Sequence, residues 1–178
     1  MITSPLLILV EGADDMRFFE RIIVPPLKRK FTDVKIWPYS KVCKERVKSF
    51  IKSIISMNGE YILVADIDSL PCVSEKKGWI CEKYDTVDPK KIVIVVSEIE
   101  SWYLCGIKPE DLRKIGIRND QCKKIDNKNC VTKEQFEKII PESSTRTNFL
   151  ISVLDLYDLQ RAKNKNPSLN YFYENWLK

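Results

Sequence analysis

The sequence contains no histidine, and that absence is its most restrictive feature. Without imidazole there is no serine–histidine or cysteine–histidine pair, and the usual general base of neutral pH is missing. Six cysteines are present, but no two form a C-x-x-C pair. A zinc site built from Cys72, Cys81, Cys122 and Cys130 would have to close wide, irregular gaps, so reduced, mostly buried thiols are the expected state. No apolar run approaches the roughly 18 residues of a membrane span. The apolar run Pro5–Val10 has no basic start and no cleavage site before Glu11. No signal peptide is read there, and a cytoplasmic location is expected. There is no internal repeat and no low-complexity tract; "KNKNP" at 163–167 is a short polar connector.

What is present describes a globular chain of 178 residues, 44% hydrophobic and 31% charged. That length suffices for one domain with a genuine core, or one domain with a small appendage. The net charge of +5, from 30 basic and 25 acidic residues, permits a polyanionic partner without requiring one.

Short continuous apolar runs mark strands buried on both faces. Leu6–Val10 is the first, "VKIWPY" (34–39) the second, "YILVAD" (61–66) the third and "KIVIVVSE" (91–98) the fourth. Between them lie helical patterns. Met16, Phe19, Ile22 and Ile23 recur up to a break at Pro25–Pro26, with Ala13 or Asp14 as cap. Cys43, Val47, Ile51, Ile54 and Ile55 mark one face of a helix over 42–57. The segment 69–90 is long for a plain connection, so it reads as a functional loop or as the carrier of a short helix. "EIESWYLCGI" reads as a further short helix. Alternation of strand and helix favours a parallel sheet with right-handed crossovers. From Pro109 onward no strand is convincing; "TKEQFEKII", "NFLISVLDLYDLQRA" and "LNYFYENWL" read as helices. The expected organisation is an α/β domain over 1–108 and a helical extension over 109–178 packed on it.

Two strands end in acids. The first delivers Glu11, then Gly12; the third delivers Asp66, and Asp68 two residues on. In open parallel sheets, functional groups gather beyond the carboxyl ends of the strands. Were the two strands neighbours, three carboxylates would converge and repel, each raising the others' pKa. A hard divalent cation such as Mg²⁺ (or Mn²⁺) resolves that, because it takes oxygen ligands and keeps waters that phosphate oxygens can replace. Gly12, without a Cβ, would allow close approach to Glu11. A solvated loop pair or a helix cap are the alternative explanations for the D-x-D.

This pattern resembles the Toprim domain: Glu11-Gly12 after strand one, Asp15 completing E-G-x-x-D, and Asp66-x-Asp68 after a later strand. The domain occurs in topoisomerases, bacterial primases, OLD-family nucleases and small prokaryotic Toprim-like proteins. The resemblance covers about residues 6–104, and "EIESWYL" with the terminal "NPSLNYFYENWL" is similar to the small stand-alone proteins that resemble OLD nucleases. It implies a Toprim-like (Rossmann-like) fold and Mg²⁺-dependent chemistry on phosphodiesters, with Glu11 as general acid–base or metal ligand and Asp66 and Asp68 holding the metal. The chain is short for a topoisomerase or a primase, which leaves a nuclease acting on DNA or RNA. The alternatives are a non-catalytic Toprim-like module that binds nucleic acid or a protein, and a phosphoryl or nucleotide-sugar transferase using the D-x-D pair.

Secondary candidates follow. Glu98, at the end of strand four, is a further metal ligand or a helix N-terminal acid. Lys41, Lys44, Lys48 and Lys52 follow steps of three, four and four along the second helix, a stripe that would track a phosphate backbone or a solvated face. Lys28-Arg29-Lys30, Lys123-Lys124 and 161–165 are further basic clusters. Related Toprim nucleases place a basic residue after the core to stabilise charge on the phosphate. Arg146, in a polar loop before a helix, is the candidate for that role, against a simple helix-start arginine. The four tryptophans are expected in the core rather than as base-stacking platforms. Nucleic acid is the expected partner, no membrane association is expected, and a protein partner or homo-oligomer is compatible with the sequence.

Overall fold

The structure is a computed structural model that describes residues 4–118, 121–122 and 131–178. Cys130 and the Lys123-Lys124 pair lie outside the described residues. The chain divides into two compact units, one running to Val96 and including Leu177, the other spanning Ser97–Trp176 with Lys178. Among the described residues, no helix is long and apolar enough to cross a membrane.

The first unit carries four strands, β1 (Pro5–Val10), β2 (Asp33–Pro38), β3 (Glu60–Asp66) and β4 (Ile92–Val95). They form one sheet in the order β2-β1-β3-β4, and every neighbouring pair is parallel. This is an α/β, Toprim-like architecture, a four-stranded parallel sheet flanked by helices. Leu6 to Val10 and Tyr61 to Ala65 are buried throughout, as central strands covered on both faces must be. β2 is an edge strand, and its composition suits an edge: Asp33 and Lys35 are exposed and Pro38 ends it.

Helix α1 (Ala13–Phe18) continues through a π-helical turn (Phe19–Ile23) into α2 (Val24–Leu27). Pro25–Pro26 therefore does not end the helix. The prolines occupy the first turn after the π segment, the position in a helix where proline is best tolerated. Helix α3 (Lys44–Ser56) buries Val47 and Ile51 fully and Ile54 in part. Cys43 stands before it as an exposed N-cap, and Ile55 is 49% exposed, so neither belongs to the buried stripe. Ile55 lies about 80° round the helix from Val47, at the margin of the apolar face.

The long segment after β3 contains helix α4 (Val73–Lys83) and a 3-10 turn (Pro89–Lys91). Ile80 and Tyr84 seat α4 on the sheet face made by Leu7, Leu9, Tyr61, Leu63, Ala65, Ile92 and Ile94, and α3 packs into the same cluster. β4 stops at Val95, earlier than its apolar composition suggests. Ser97 adopts φ 74°, and a non-glycine residue in the left-handed region cannot continue a ladder.

The second unit is helical among its described residues: Ile99–Cys105, Pro109–Lys114, Lys133–Glu137, Arg146–Asp155, Leu159–Lys165 and Pro167–Phe172, followed by a π-helical turn, Tyr173–Leu177, of which Leu177 belongs to the first unit. The run "NFLISVLDLYDLQRA" is two helices rather than one. Asp158 interrupts it and caps the second by accepting from the N–H groups of Gln160 and Arg161. The core is aromatic: Phe136 packs edge-on against Tyr103 and Phe149, with ring centroids 6.4 and 5.5 Å apart. Trp102 is fully buried, and its Nε1 donates to Ser168 Oγ at 2.9 Å.

Gly106 closes the helix carrying Trp102. A Cβ there would stand 2.5 Å from Tyr157 Cζ, a ring whose hydroxyl donates to the Trp102 carbonyl at 2.7 Å. Gly106→Ala must therefore push Tyr157 aside. It should cost about 1–3 kcal/mol, the usual range for overpacking. Urea denaturation of wild type and variant measures this directly; an unchanged midpoint would mean that the ring has room to move.

Candidate active site

β1 leads to β2 on one side, and the chain then returns across β1 to place β3 on the other. The β1/β3 boundary is thus a topological switch point, where the crossovers diverge and a crevice opens at the carboxyl ends. Leu9 pairs with Leu63 in register, and carrying that register on by two residues sets Glu11 level with Ala65, one step from Asp66. The sequence order of the acids and the strand order of the sheet together explain why Glu11 and Asp66 emerge side by side.

Glu11 and Asp68 line one pocket of about 190 Å³ with Tyr39, Lys76, Trp79, Lys83 and Tyr84. Glu11 is held from several directions. Tyr39 Oη donates to Glu11 Oε1 at 3.4 Å and to the Val64 carbonyl at 3.2 Å. The Asp66 backbone N–H also donates to the Glu11 carboxylate. Ser40 Oγ fixes the backbone by donating to the Glu11 carbonyl at 2.5 Å. Burial raises the Glu11 pKa above the ordinary carboxylate value, and the nearby Asp68 charge raises it further. Lys76, the Asp66 N–H and the Tyr39 hydroxyl pull in the opposite direction. Tyr39 is itself pushed well above an ordinary phenol, first by burial and then by the Glu11 charge. It therefore stays protonated and acts as a donor.

Asp68 adopts φ 52°, a left-handed conformation that aspartate tolerates better than most residues. Its side chain is 60% exposed and is ion-paired to Lys76 Nζ. Asp66 ends β3, and one of its carboxylate oxygens, Oδ1, is buried and accepts no hydrogen bond. Among the described residues, no three acidic, cysteine or histidine side chains stand together closely enough to hold a metal ion. What the structure brings together is Glu11 and Asp68 in one pocket, with Asp66 bonded through its backbone to Glu11.

The supporting residues have local roles. Asp15 is buried, and its Oδ2 accepts from the Gly12 N–H at 3.1 Å, closing the first turn of α1. Gly12 has an extended backbone, and a Cβ there would meet Asp15 Oδ2 at an ordinary 3.5 Å. Neither backbone conformation nor local packing demands a glycine at that position.

Glu98 and Arg146 belong to the second unit. The Glu98 carboxylate accepts from the Lys133 N–H. Arg146 is the first residue of its helix, behind a Thr145 cap. Its guanidinium bonds Glu100 at 2.5 Å, pairs with Glu137, and stacks over the Phe136 ring. Of the lysine stripe, Lys41 precedes α3 rather than lying on it. Lys48 pairs with Asp85 at 2.7 Å, and together with Lys52 and Lys44 holds the Asp85 carboxyl below its ordinary pKa.

Tyr39, Lys76, Trp79, Lys83 and Tyr84 also line the pocket, and the sequence reading singles out none of them. Trp79 is 47% exposed, so it is a pocket wall and not a core residue. Lys76 did leave a signal. Lys76, Ile80 and Tyr84 are spaced four and four, which puts a lysine on the buried face of α4.

No family model matches the chain, and no curated protein matches it in sequence. Solved structures do match in fold. The C-terminal region of the Xanthomonas campestris pv. campestris OLD protein, in its mercury-phased structure, superposes with a TM-score of 0.59 at 14% identity, covering 99% of this chain and 96% of that one. Its platinum-phased structure gives 0.55 at 11% identity, covering 98% and 92%. The C-terminal region of the Burkholderia pseudomallei OLD protein gives 0.53 at 13% identity, covering 98% of both chains. At the level of fold, the chain is similar to the C-terminal region of OLD proteins.

Proposed function

We propose that this chain is a Toprim-type phosphodiester hydrolase, a Mg²⁺-dependent nuclease acting on DNA or RNA. The observation that carries the reading is the meeting of Glu11 and Asp68 in one pocket at the switch point, beside Asp66, on a fold similar to OLD C-terminal regions. The donor set suits a hard cation: three carboxylates, with the buried Asp66 Oδ1 as an oxygen that such an ion would satisfy. Glu11, Asp66 and Asp68 are the residues that would hold it. When bound, Mg²⁺ neutralises charge on the phosphate and makes its water more acidic.

The protein's own contribution centres on Glu11. A carboxylate with a raised proton affinity is a better base toward water than an exposed one. Tyr39 and the Asp66 N–H fix its orientation and leave the rest of the carboxylate facing the pocket. The exposed side chains of Lys41, Lys44 and Lys52 are the surface along which a phosphate backbone would run. The reading rests on the acids of the first unit alone. A second reading, a non-catalytic Toprim-like module, is favoured by one observation: Lys76 already neutralises Asp68.

Three measurements test these readings. With Mg²⁺ or Mn²⁺, the purified chain should cleave at least one member of a panel of single- and double-stranded DNA and RNA. Glu11→Gln should be slower by about 10²-fold or more, the usual contribution of a positioned base. Binding without cleavage on every substrate would favour the non-catalytic module, and equal rates in the two proteins would indicate contamination. Millimolar Mn²⁺ should raise the melting temperature of the wild type, and Asp66→Asn combined with Asp68→Asn should abolish that rise. An undiminished rise in the double variant would place the ion elsewhere.

The third concerns pH. Because the folded-state pKa of Glu11 is raised, the charged form costs stability at neutral pH, and wild type gains stability as pH falls through that pKa toward 4.5. Glu11→Gln should therefore melt higher than wild type at pH 7, with the advantage shrinking to nothing below pH 4.5. A variant less stable than wild type at neutral pH would contradict this electrostatic account.

A further inference from the structure

Lys76 is 3% exposed, and among the described residues no other lysine or arginine is buried to that degree. It occupies the buried face of α4, four residues before Ile80 and eight before Tyr84, which seat that helix on the sheet. An ammonium in such a place is expensive to desolvate and persists only with a compensating partner. The partner is Asp68, and the Trp79 ring centroid lies 5.1 Å from Nζ on the pocket wall. Glu11 opens into the same pocket. A positive charge carried by the chain itself thus stands among the carboxylates assigned above to a divalent ion.

On that reading of the site, we infer that Lys76 is a built-in counter-cation. Its ammonium neutralises the acidic pocket in the metal-free protein, competes with a divalent ion for Asp68, and so sets how tightly the site binds metal. The two cations repel one another at close range in a partly dry pocket, where Coulomb interactions are stronger than in water. A flexible four-carbon stem lets the ammonium yield without unfolding α4. The resting site is consequently one that holds together without metal. Among the described residues, the acids assigned to the ion are not gathered around a single point.

The test is isothermal titration of the full chain with Mn²⁺ alone, for wild type, Lys76→Met and Lys76→Gln, together with melting curves in EDTA and in Mn²⁺. Both variants should bind Mn²⁺ at least about tenfold more tightly than wild type. In EDTA they should melt below wild type, because the acids then lack a counter-cation, and Mn²⁺ should recover most of that loss. Variants that fold only when Mn²⁺ is present support the proposal by the same logic. Folded variants that bind Mn²⁺ as weakly as wild type, or more weakly, overturn it and leave the metal reading standing. Absence of Mn²⁺ binding in wild type and in folded variants alike removes the metal reading and this proposal with it. Failure of both variants to fold even in Mn²⁺ also overturns it, since a metal ion then cannot take the place of the ammonium.

Discussion

The pairing of β1 with β3 is the constraint on which the candidate site depends. These two strands are distant in sequence, and their register, Leu6 with Glu60 through Leu9 with Leu63, decides which residues emerge together at the carboxyl edge. A slip of one residue would turn every side chain of one strand to the opposite face. With apolar side chains buried on both faces, the strands would tolerate the slip in hydrophobicity but not in shape, because the packed cluster of Leu7, Leu9, Tyr61 and Leu63 would be rebuilt. The register therefore fixes the site through the core.

Beyond the strand ends, the problem becomes electrostatic. Burial raises the cost of the Glu11 charge, and the nearby Asp68 charge adds to it. The chain answers with donors of graded strength: a protonated phenol from Tyr39, a backbone N–H from Asp66 and a full positive charge from Lys76. The first two orient Glu11, whereas the third balances charge. The second unit resolves its own buried acid in a similar way, since Glu100 is nearly inaccessible and is bonded by Arg146.

Much of the first unit was legible in the sequence because parallel strands covered on both faces leave an unambiguous mark. The apolar runs over 6–10, 61–65 and 92–95 became β1, β3 and β4, and the acids at the ends of β1 and β3 stood out against them. The errors came where local geometry overrode composition. Val96 and Ser97 read as strand, but the left-handed Ser97 ends the ladder early. Pro25–Pro26 read as a helix break, but the prolines fall in the first turn that follows a π-helical turn, and the helix runs on to Leu27. The helical run around Tyr157 divides in two at Asp158, whose carboxylate caps the second helix and so overrides the apolar period on either side.

By itself, the sequence determined the kind of chemistry open to this protein. It supplies carboxylates without histidine, carried on the ends of apolar strands, because residue type and strand burial are local properties written in composition and period. Only the tertiary structure decided which charges meet. Tyr39 reaches Glu11 across 28 positions of chain, and Lys76 faces Asp68 because α4 lies with that side against the sheet. No local pattern states a strand order or a helix rotation. Those follow from how the whole core packs, and the charge balance of the pocket is a consequence of that packing.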